Sequence, residues 1–192
     1  MIDFGRVTFV KSAPTVKDKP GATLPEIVFV GRSNVGKSSL INALTGHVVA
    51  KVSSKPGKTV LLNYYNVDDK FYLVDAPGYG YTISGTRHVE SFAAMMEDYF
   101  ADNQSLKGVV FLIDARHAPS KDDCAFHEFL INRRLPYLVV YTKADKSNQK
   151  ERAAFKSALE ASNFARVPGI ATSTVDRTGF DTLKARLGAL LK

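Results

Sequence analysis

Apolar residues in this chain come in short runs, and stretches of helical period lie between them. The short runs, rich in branched and aromatic side chains, predict β-strands near 6–10, 26–30, 60–67, 70–74, 108–113, 137–141 and 169–172. The periodic stretches predict helices near 37–45, 87–101, 121–133, 148–161 and 179–191. The last of these places Phe180, Leu183, Leu187 and Leu190 at helical spacing, a face that can pack on a sheet, and carries Lys184 and Arg186 on its other side. Regular alternation of strand and helix predicts an α/β fold, a mainly parallel sheet with helices on both faces. One pair breaks the alternation. Only Asp68-Asp69 and their neighbours separate the runs 60–67 and 70–74, a hairpin signal that predicts one antiparallel edge strand.

Size and composition narrow the class. With 192 residues, 45% of them hydrophobic, the chain can bury one full core, so residues 1–192 are expected to form a single domain, with 1–24 as an extension packed on or flanking it. No run approaches the roughly 18 apolar residues of a membrane span. The start, Met1-Ile2-Asp3-Phe4-Gly5-Arg6, lacks the apolar core of a signal peptide. The one cysteine, Cys124, falls in the 121–133 helix and has no partner for an internal disulfide. A cytoplasmic monomer without membrane contact is the expectation.

Chemistry enters at the first apolar strand. Ile27-Val28-Phe29-Val30 runs directly into Gly31-Arg32-Ser33-Asn34-Val35-Gly36-Lys37-Ser38, which fits G-x-x-x-x-G-K-[ST] and opens the helix that continues through Ser39. Glycines let the main chain wrap closely around phosphate oxygens, and N–H groups at the helix start face the anion. Lys37 is expected to reach the β- and γ-phosphates of a nucleoside triphosphate and Ser38 to give its hydroxyl to Mg2+. Further on, the strand near 71–74 ends in Asp75-Ala76-Pro77-Gly78. In this D-x-x-G string Asp75 is suited to hold Mg2+ through a water, and the Gly78 N–H to bond the γ-phosphate. The cationic segment Lys55-Pro56-Gly57-Lys58-Thr59 offers Thr59 as a second direct Mg2+ ligand. The strand Leu138-Val139-Val140-Tyr141 ends in Thr142-Lys143-Ala144-Asp145. A carboxylate at that edge accepts both N1–H and the exocyclic amine of guanine, whereas adenine would leave it unpaired. The Lys143 stem is long enough to lie over the base. Lys37, Thr59 and Gly78 are the candidate catalytic residues.

Phosphate loop, threonine, D-x-x-G and T-K-x-D follow one another in the order of a Ras-like P-loop GTPase, a three-layer domain. The details resemble the EngB/YihA/YsxC ribosome-assembly GTPases in particular. The strings that carry this resemblance are Gly31 to Ser38, Ser54-Lys55-Pro56-Gly57-Lys58-Thr59, Asp75-Ala76-Pro77-Gly78-Tyr79-Gly80-Tyr81, Asp114-Ala115-Arg116-His117 and Thr142 to Asp145. The resemblance implies GTP and GDP as ligands, Mg2+ as cofactor, slow GTP hydrolysis, and a GTP/GDP switch in assembly of the large ribosomal subunit with links to cell division. It implies nucleotide contacts from Gly31 through Ser39, Pro56 through Thr59, Asp75 through Gly78 and Thr142 through Asp145. It also implies a base contact near Thr172-Ser173-Thr174, with Ser173 and Thr174 in the place of the family's usual pair of small residues. Partners would be a large-subunit precursor and its rRNA. The net charge of +7 suits a polyanion, although the same lysines and arginines also serve to solvate a surface.

Several residues keep two readings. Asn34 is either a cap of the loop backbone or, as in GTPases similar to this one, a K+ ligand that adds positive charge beside the phosphates. Tyr79 stands where many small GTPases carry the glutamine that orients water. It is a catalytic group or a loop aromatic, and Gly78-Tyr79-Gly80-Tyr81 is expected to form a flexible partner surface ordered by GTP. Arg116 and His117 are a rim contact or an internal ion pair. Two other functions fit a phosphate loop: a P-loop nucleotide kinase, and a membrane-associated septin-like GTPase. Thr142 to Asp145 and the absence of an obvious acceptor-site lid speak against the first, and the absence of an extra domain for assembly surfaces or lipid-binding helices against the second.

Overall fold

The computed structural model describes residues 2–21, 23–50, 61–80, 86–101 and 103–192, of which 86–92 are described by their main chain alone. Among the described residues seven strands, β1 (Val7–Ala13), β2 (Glu26–Gly31), β3 (Leu62–Val67), β4 (Phe71–Asp75), β5 (Leu106–Asp114), β6 (Tyr137–Thr142) and β7 (Gly169–Ala171), are interleaved with five α-helices. The helices are α1 (Lys37–Thr45), α2 (Thr86–Ala101), α3 (Lys121–Asn132), α4 (Gln149–Glu160) and α5 (Phe180–Leu190). The sheet order is β1-β3-β4-β2-β5-β6-β7. Strand β2 pairs in parallel with β4 and β5, β5 with β6, and β6 with β7.

Every residue of β2 is buried, as expected of a central parallel strand covered on both faces. Its alternation assigns the two layers. Val28 and Val30 face a core with Phe111, Leu130, Tyr99 and Phe164, under α2, α3 and α4. Ile27 and Phe29 face a core with Leu40, Ile41, Leu44, Leu183 and Leu187, under α1 and α5.

Strands β3 and β4 form the hairpin that Asp68-Asp69 predicts. Both residues are left-handed (φ 53° and 52°) at the centre of a turn in which Lys70 N–H donates to the Val67 carbonyl (3.0 Å), a geometry that matches strand twist, and the ladder resumes at the Val67–Phe71 pair. Strand β3 therefore runs against the rest of the sheet, and β1 pairs with it in a second antiparallel ladder and forms the antiparallel edge. Strand β1 runs three residues beyond the expected 6–10. A bulge between Phe9 and Lys11 lets Lys11, Ser12 and Ala13 continue pairing with Tyr64, Asn63 and Leu62.

Two capping boxes start helices cleanly: Ser120 with Asp123 on α3, and Asn148 with Glu151 on α4. At the amino end of β2 the buried Glu26 carboxylate accepts from Tyr99 Oη (2.7 Å) and Asn103 Nδ2 (2.9 Å), with Lys19 Nζ at 3.6 Å. This cluster lies at the opposite end of β2 from the phosphate loop. No helix among the described residues is long and apolar enough to cross a membrane.

Candidate functional site

The loop after β2 is shaped by two left-handed residues, Asn34 (φ 63°) and Gly36 (φ 104°). Gly36 caps the start of α1. Asn34 reaches this conformation at low cost because its short polar side chain tolerates it. The resulting turn exposes a row of main-chain donors. The amides of Asn34, Gly36, Lys37, Ser38 and Ser39 have no partner among the described residues. Unpaired amides of a concave turn leading into a helix N-terminus are a receptor for an anion.

Asp75, at the end of β4, pairs beside Phe29 of β2 and is buried. Its Oδ1 forms an ion pair with Lys37 Nζ. The D-x-x-G segment then crosses the phosphate loop in close main-chain contact. Ser33 N–H donates to the Tyr79 carbonyl (2.9 Å), Tyr79 N–H to the Gly31 carbonyl (3.3 Å), and Ser33 Oγ to the Gly78 carbonyl (3.3 Å). A Cβ on Gly78 would stand 2.8 Å from Ser33 N and Cα, closer than such atoms approach, so only glycine fits.

Tyr79 departs from the sequence expectation. Its ring is not part of an exposed, flexible surface. It is buried, stacks on Phe126 (5.7 Å between centroids), and its hydroxyl donates to Asp123 Oδ1 at 2.6 Å. Burial, reinforced by the Asp123 carboxylate, pushes the phenol far above its ordinary pKa. Asp123 Oδ2 in turn accepts from Ser120 N and Oγ (both 2.7 Å). The residue after Gly78 is thus tied to the first turn of α3. The sequence signal for Asp123 was the S-x-x-D capping box; nothing local signals its bond to Tyr79.

At the second end of the site, Thr142 is buried and its Oγ1 donates to the Val35 carbonyl (2.6 Å). Lys143 is left-handed (φ 59°), and its Nζ donates to the Asn34 carbonyl (2.7 Å) and to Asp114 Oδ2 (2.8 Å). Its stem passes Gly36, where a Cβ would meet Lys143 Cε at 3.5 Å. Ala144 begins a 3-10 turn (Ala144–Lys146) and donates its N–H to the Thr172 carbonyl (3.1 Å), which joins the loop after β7 to the loop after β6. Asp145 is exposed on that turn. Thr172 and Ser173 are buried; Ser173 Oγ accepts from the N–H groups of Val175 (3.2 Å) and Asp176 (3.3 Å), and Thr174 is exposed.

Arg116 resolves to an ion pair. Its Nε and Nη2 donate to Asp114 at 2.9 and 2.7 Å. Burial alone would raise the Asp114 carboxyl, but hydrogen bonds from Arg116 and Lys143 hold it well below the usual carboxylate range. A cavity of about 280 Å³ between the phosphate loop and the loop after β5 is lined by Arg32, Ser33, Asn34, Asp114, Arg116 and His117, among others. The structure thus brings Gly31 to Ser39, Asp75 to Gly78, Thr142 to Asp145 and Thr172 to Thr174 to the carboxyl edge of the parallel strands. Pro56, Gly57, Lys58 and Thr59, together with Tyr81, lie outside the described residues.

Residues 26–143 match the family described as 50S ribosome-binding GTPase. The chain is 44% identical over 180 residues to a probable GTP-binding protein EngB of Ligilactobacillus salivarius, with 91% of each chain covered. It is 46% identical over 177 residues to that of Streptococcus mutans, covering 89% of this chain and 88% of the other. Among solved structures, a probable GTP-binding protein EngB superposes with a TM-score of 0.66 at 23% identity, over 86% of this chain and 98% of that one. A variant of Aquifex aeolicus Era bound to GDP and aluminium fluoride superposes with a TM-score of 0.68 at 22% identity, over 88% of this chain and 57% of that one. These structural likenesses speak for the fold, a P-loop GTPase fold, whose members generally use Mg2+. With the sequence relatives and the matched residues they place the chain in the EngB family of GTPases, enzymes that hydrolyse GTP.

Proposed function

We propose that this GTPase is a GTP/GDP switch that acts in assembly of the large ribosomal subunit in the cytoplasm, and through it in normal growth and cell division. The observation that carries this reading is the row of unpartnered amides at Asn34 and from Gly36 to Ser39, set between Lys37 and Asp75 on one side and the Lys143–Asp145 turn on the other. In this reading the main chain from Gly31 to Ser39 holds the phosphates. Lys37 leaves Asp75 to reach the β- and γ-phosphates, and Gly78 N–H, already packed on Ser33, bonds the γ-phosphate. Asp145 pairs with N1–H and the exocyclic amine of guanine, which covers its exposed carboxylate. Ser173 and Thr174 close the base from the loop that Ala144 joins to Thr172. Pro56 to Thr59 complete the site from the segment after α1.

The donor set suits Mg2+. Ser38 and Thr59 offer hydroxyls and Asp75 a carboxylate, all hard oxygens, with Asp75 on the strand beside the phosphate loop. When bound, Mg2+ neutralises charge on the β- and γ-phosphate oxygens during transfer. Asn34 lies exposed at the loop's apex, where a K+ would add charge of the same sign. Basal hydrolysis is slow, because the phenol after Gly78 is bonded to Asp123 and no side chain at that position orients water. A net charge of +7 and the family's description support a ribosomal, rRNA-containing partner.

Titration with fluorescent GDP, GTP and ATP analogues tests the site, with Asp145→Asn as comparison. Guanine preference in the parent that shifts toward xanthine nucleotides in the variant is expected; equal ATP binding would refute the base assignment. Salt-sensitive, GTP-dependent cosedimentation with large-subunit particles, and none with liposomes, is expected of the switch. Turnover in K+ against Na+ at matched ionic strength tests Asn34, and equal rates would remove the monovalent ion.

A further inference from the structure

Asp114 belongs to neither the phosphate loop nor the T-K-x-D string, yet it stands between them. It ends β5, and its sheet partner is Thr142, the residue before Lys143. Parallel pairing brings the two strand ends to the same height, so a carboxylate on one meets the lysine that follows the other. Ala115 N–H donates to the Thr142 carbonyl (3.0 Å) and fixes that register to the last residue. Each Asp114 oxygen is then used. Oδ2 accepts from Lys143 Nζ (2.8 Å) and Arg116 Nη2 (2.7 Å); Oδ1 accepts from Arg116 Nε (2.9 Å) and Arg116 N (3.1 Å).

Lys143 needs such an anchor. It has a left-handed main chain, a sparsely populated conformation for a lysine, and a long side chain with several free rotations. Two acceptors hold its ammonium: the Asn34 carbonyl, which ties it to the phosphate loop, and the Asp114 carboxylate. A neutral carbonyl alone leaves the stem freer, whereas a charge-assisted bond confines it. Arg116 holds the carboxylate by a two-nitrogen grip, which sets the orientation in which Oδ2 faces Lys143.

We propose that Asp114 is a positioning residue for guanine-nucleotide binding, locking the Lys143 stem in the place where it covers the base, and that Arg116 at the cavity rim sets the carboxylate's orientation. This rests on the reading of Lys143 as the residue over the base. The consequence is kinetic: the Asp114–Lys143 bond sets how long GDP stays bound.

Dissociation of fluorescent GDP from the full chain tests this, with Asp114→Ala, Asp114→Asn, Lys143→Ala and the Asp114→Ala/Lys143→Ala pair. Loss of one charge-assisted bond predicts release about tenfold faster for Asp114→Ala. Asp114→Asn, which keeps an acceptor for Lys143 Nζ, recovers part of that and serves in its place if Asp114→Ala does not fold. Lys143→Ala speeds release at least as much, and the double variant releases no faster than Lys143→Ala, an outcome that a merely structural role for Asp114 would not give. Effects that multiply in the double variant would overturn the proposal, as would wild-type release from Asp114→Ala beside fast release from Lys143→Ala. Unchanged release from Lys143→Ala would instead overturn the base-site reading and the proposal with it.

Discussion

Tyr79→Phe separates two accounts of the residue after Gly78. The substitution keeps the ring, its burial at 8% exposure and its stacking on Phe126 at 5.7 Å, and removes only the hydroxyl. What is lost is the 2.6 Å bond to Asp123 Oδ1. Asp123 retains Ser120 N and Oγ on its other oxygen, so the cap of α3 survives. A bond to a charged acceptor in a buried setting contributes about 2 kcal/mol. For a domain of this size that lowers Tm by about 4–8 °C. Thermal unfolding of the nucleotide-free protein measures it, and the same substitution placed on Asp123→Ala should cost almost nothing further. GTP turnover, measured well below Tm, should stay within about twofold, because the main-chain bonds of Tyr79 to Gly31 and Ser33 do not involve the hydroxyl. An unchanged Tm would mean that the phenol is not bonded in solution. A fall in turnover of about a hundredfold, the scale of a lost proton-transfer group, would mean that the phenol takes part in the chemistry.

Other expectations follow from single contacts. Gly78→Ala drives a Cβ against the Ser33 main chain at 2.8 Å, so the D-x-x-G segment must lift from the phosphate loop; GTP affinity should fall more than GDP affinity, and equal losses would contradict the contact of Gly78 with the γ-phosphate. Tyr99→Phe leaves the buried Glu26 carboxylate with one donor fewer, at about 2 kcal/mol; it should lower Tm with nucleotide affinity unchanged. His127 is fully buried, stacked 4.1 Å from Phe164, and burial lowers its pKa below the ordinary 6.5. Its neutral form is the one the fold accommodates, so its contribution is intact above about pH 6.5 and is lost as pH falls, when the unfolded chain takes up the proton first. Tm of wild type should therefore drop more steeply than that of His127→Gln between about pH 7 and about pH 5, and parallel curves would refute this.

Much of the molecule was readable in the order of its residues because its signals are local. The phosphate loop, the two strand-ending acidic residues and the Asp68-Asp69 turn each state their geometry within a few positions. Strand β1 was read short because Lys11 and Ser12 interrupt the apolar pattern. The ladder to β3 carries them into the sheet regardless, since main-chain pairing there does not depend on side-chain polarity.

What escaped reading depends on which strand ends stand together. Tyr79 and Asp123 are 44 residues apart, and Lys143 and Asp114 are 29 apart. Glycines on either side of Tyr79 suggest an open loop. They do so only until the start of α3 supplies an acceptor and Phe126 a face for the ring. The Asp114–Lys143 contact was closer to view. A parallel sheet brings all its carboxyl ends to one edge, so any two strand-ending charges of opposite sign on neighbouring strands are candidates to meet. Strand order turns that candidate into a contact, and order follows from the burial of β2 between β4 and β5, a property of the whole core rather than of any one segment. The same dependence explains why the phosphate loop is legible from its own motif, while the grip on Lys143 needs a carboxylate that lies outside both the phosphate loop and the T-K-x-D string.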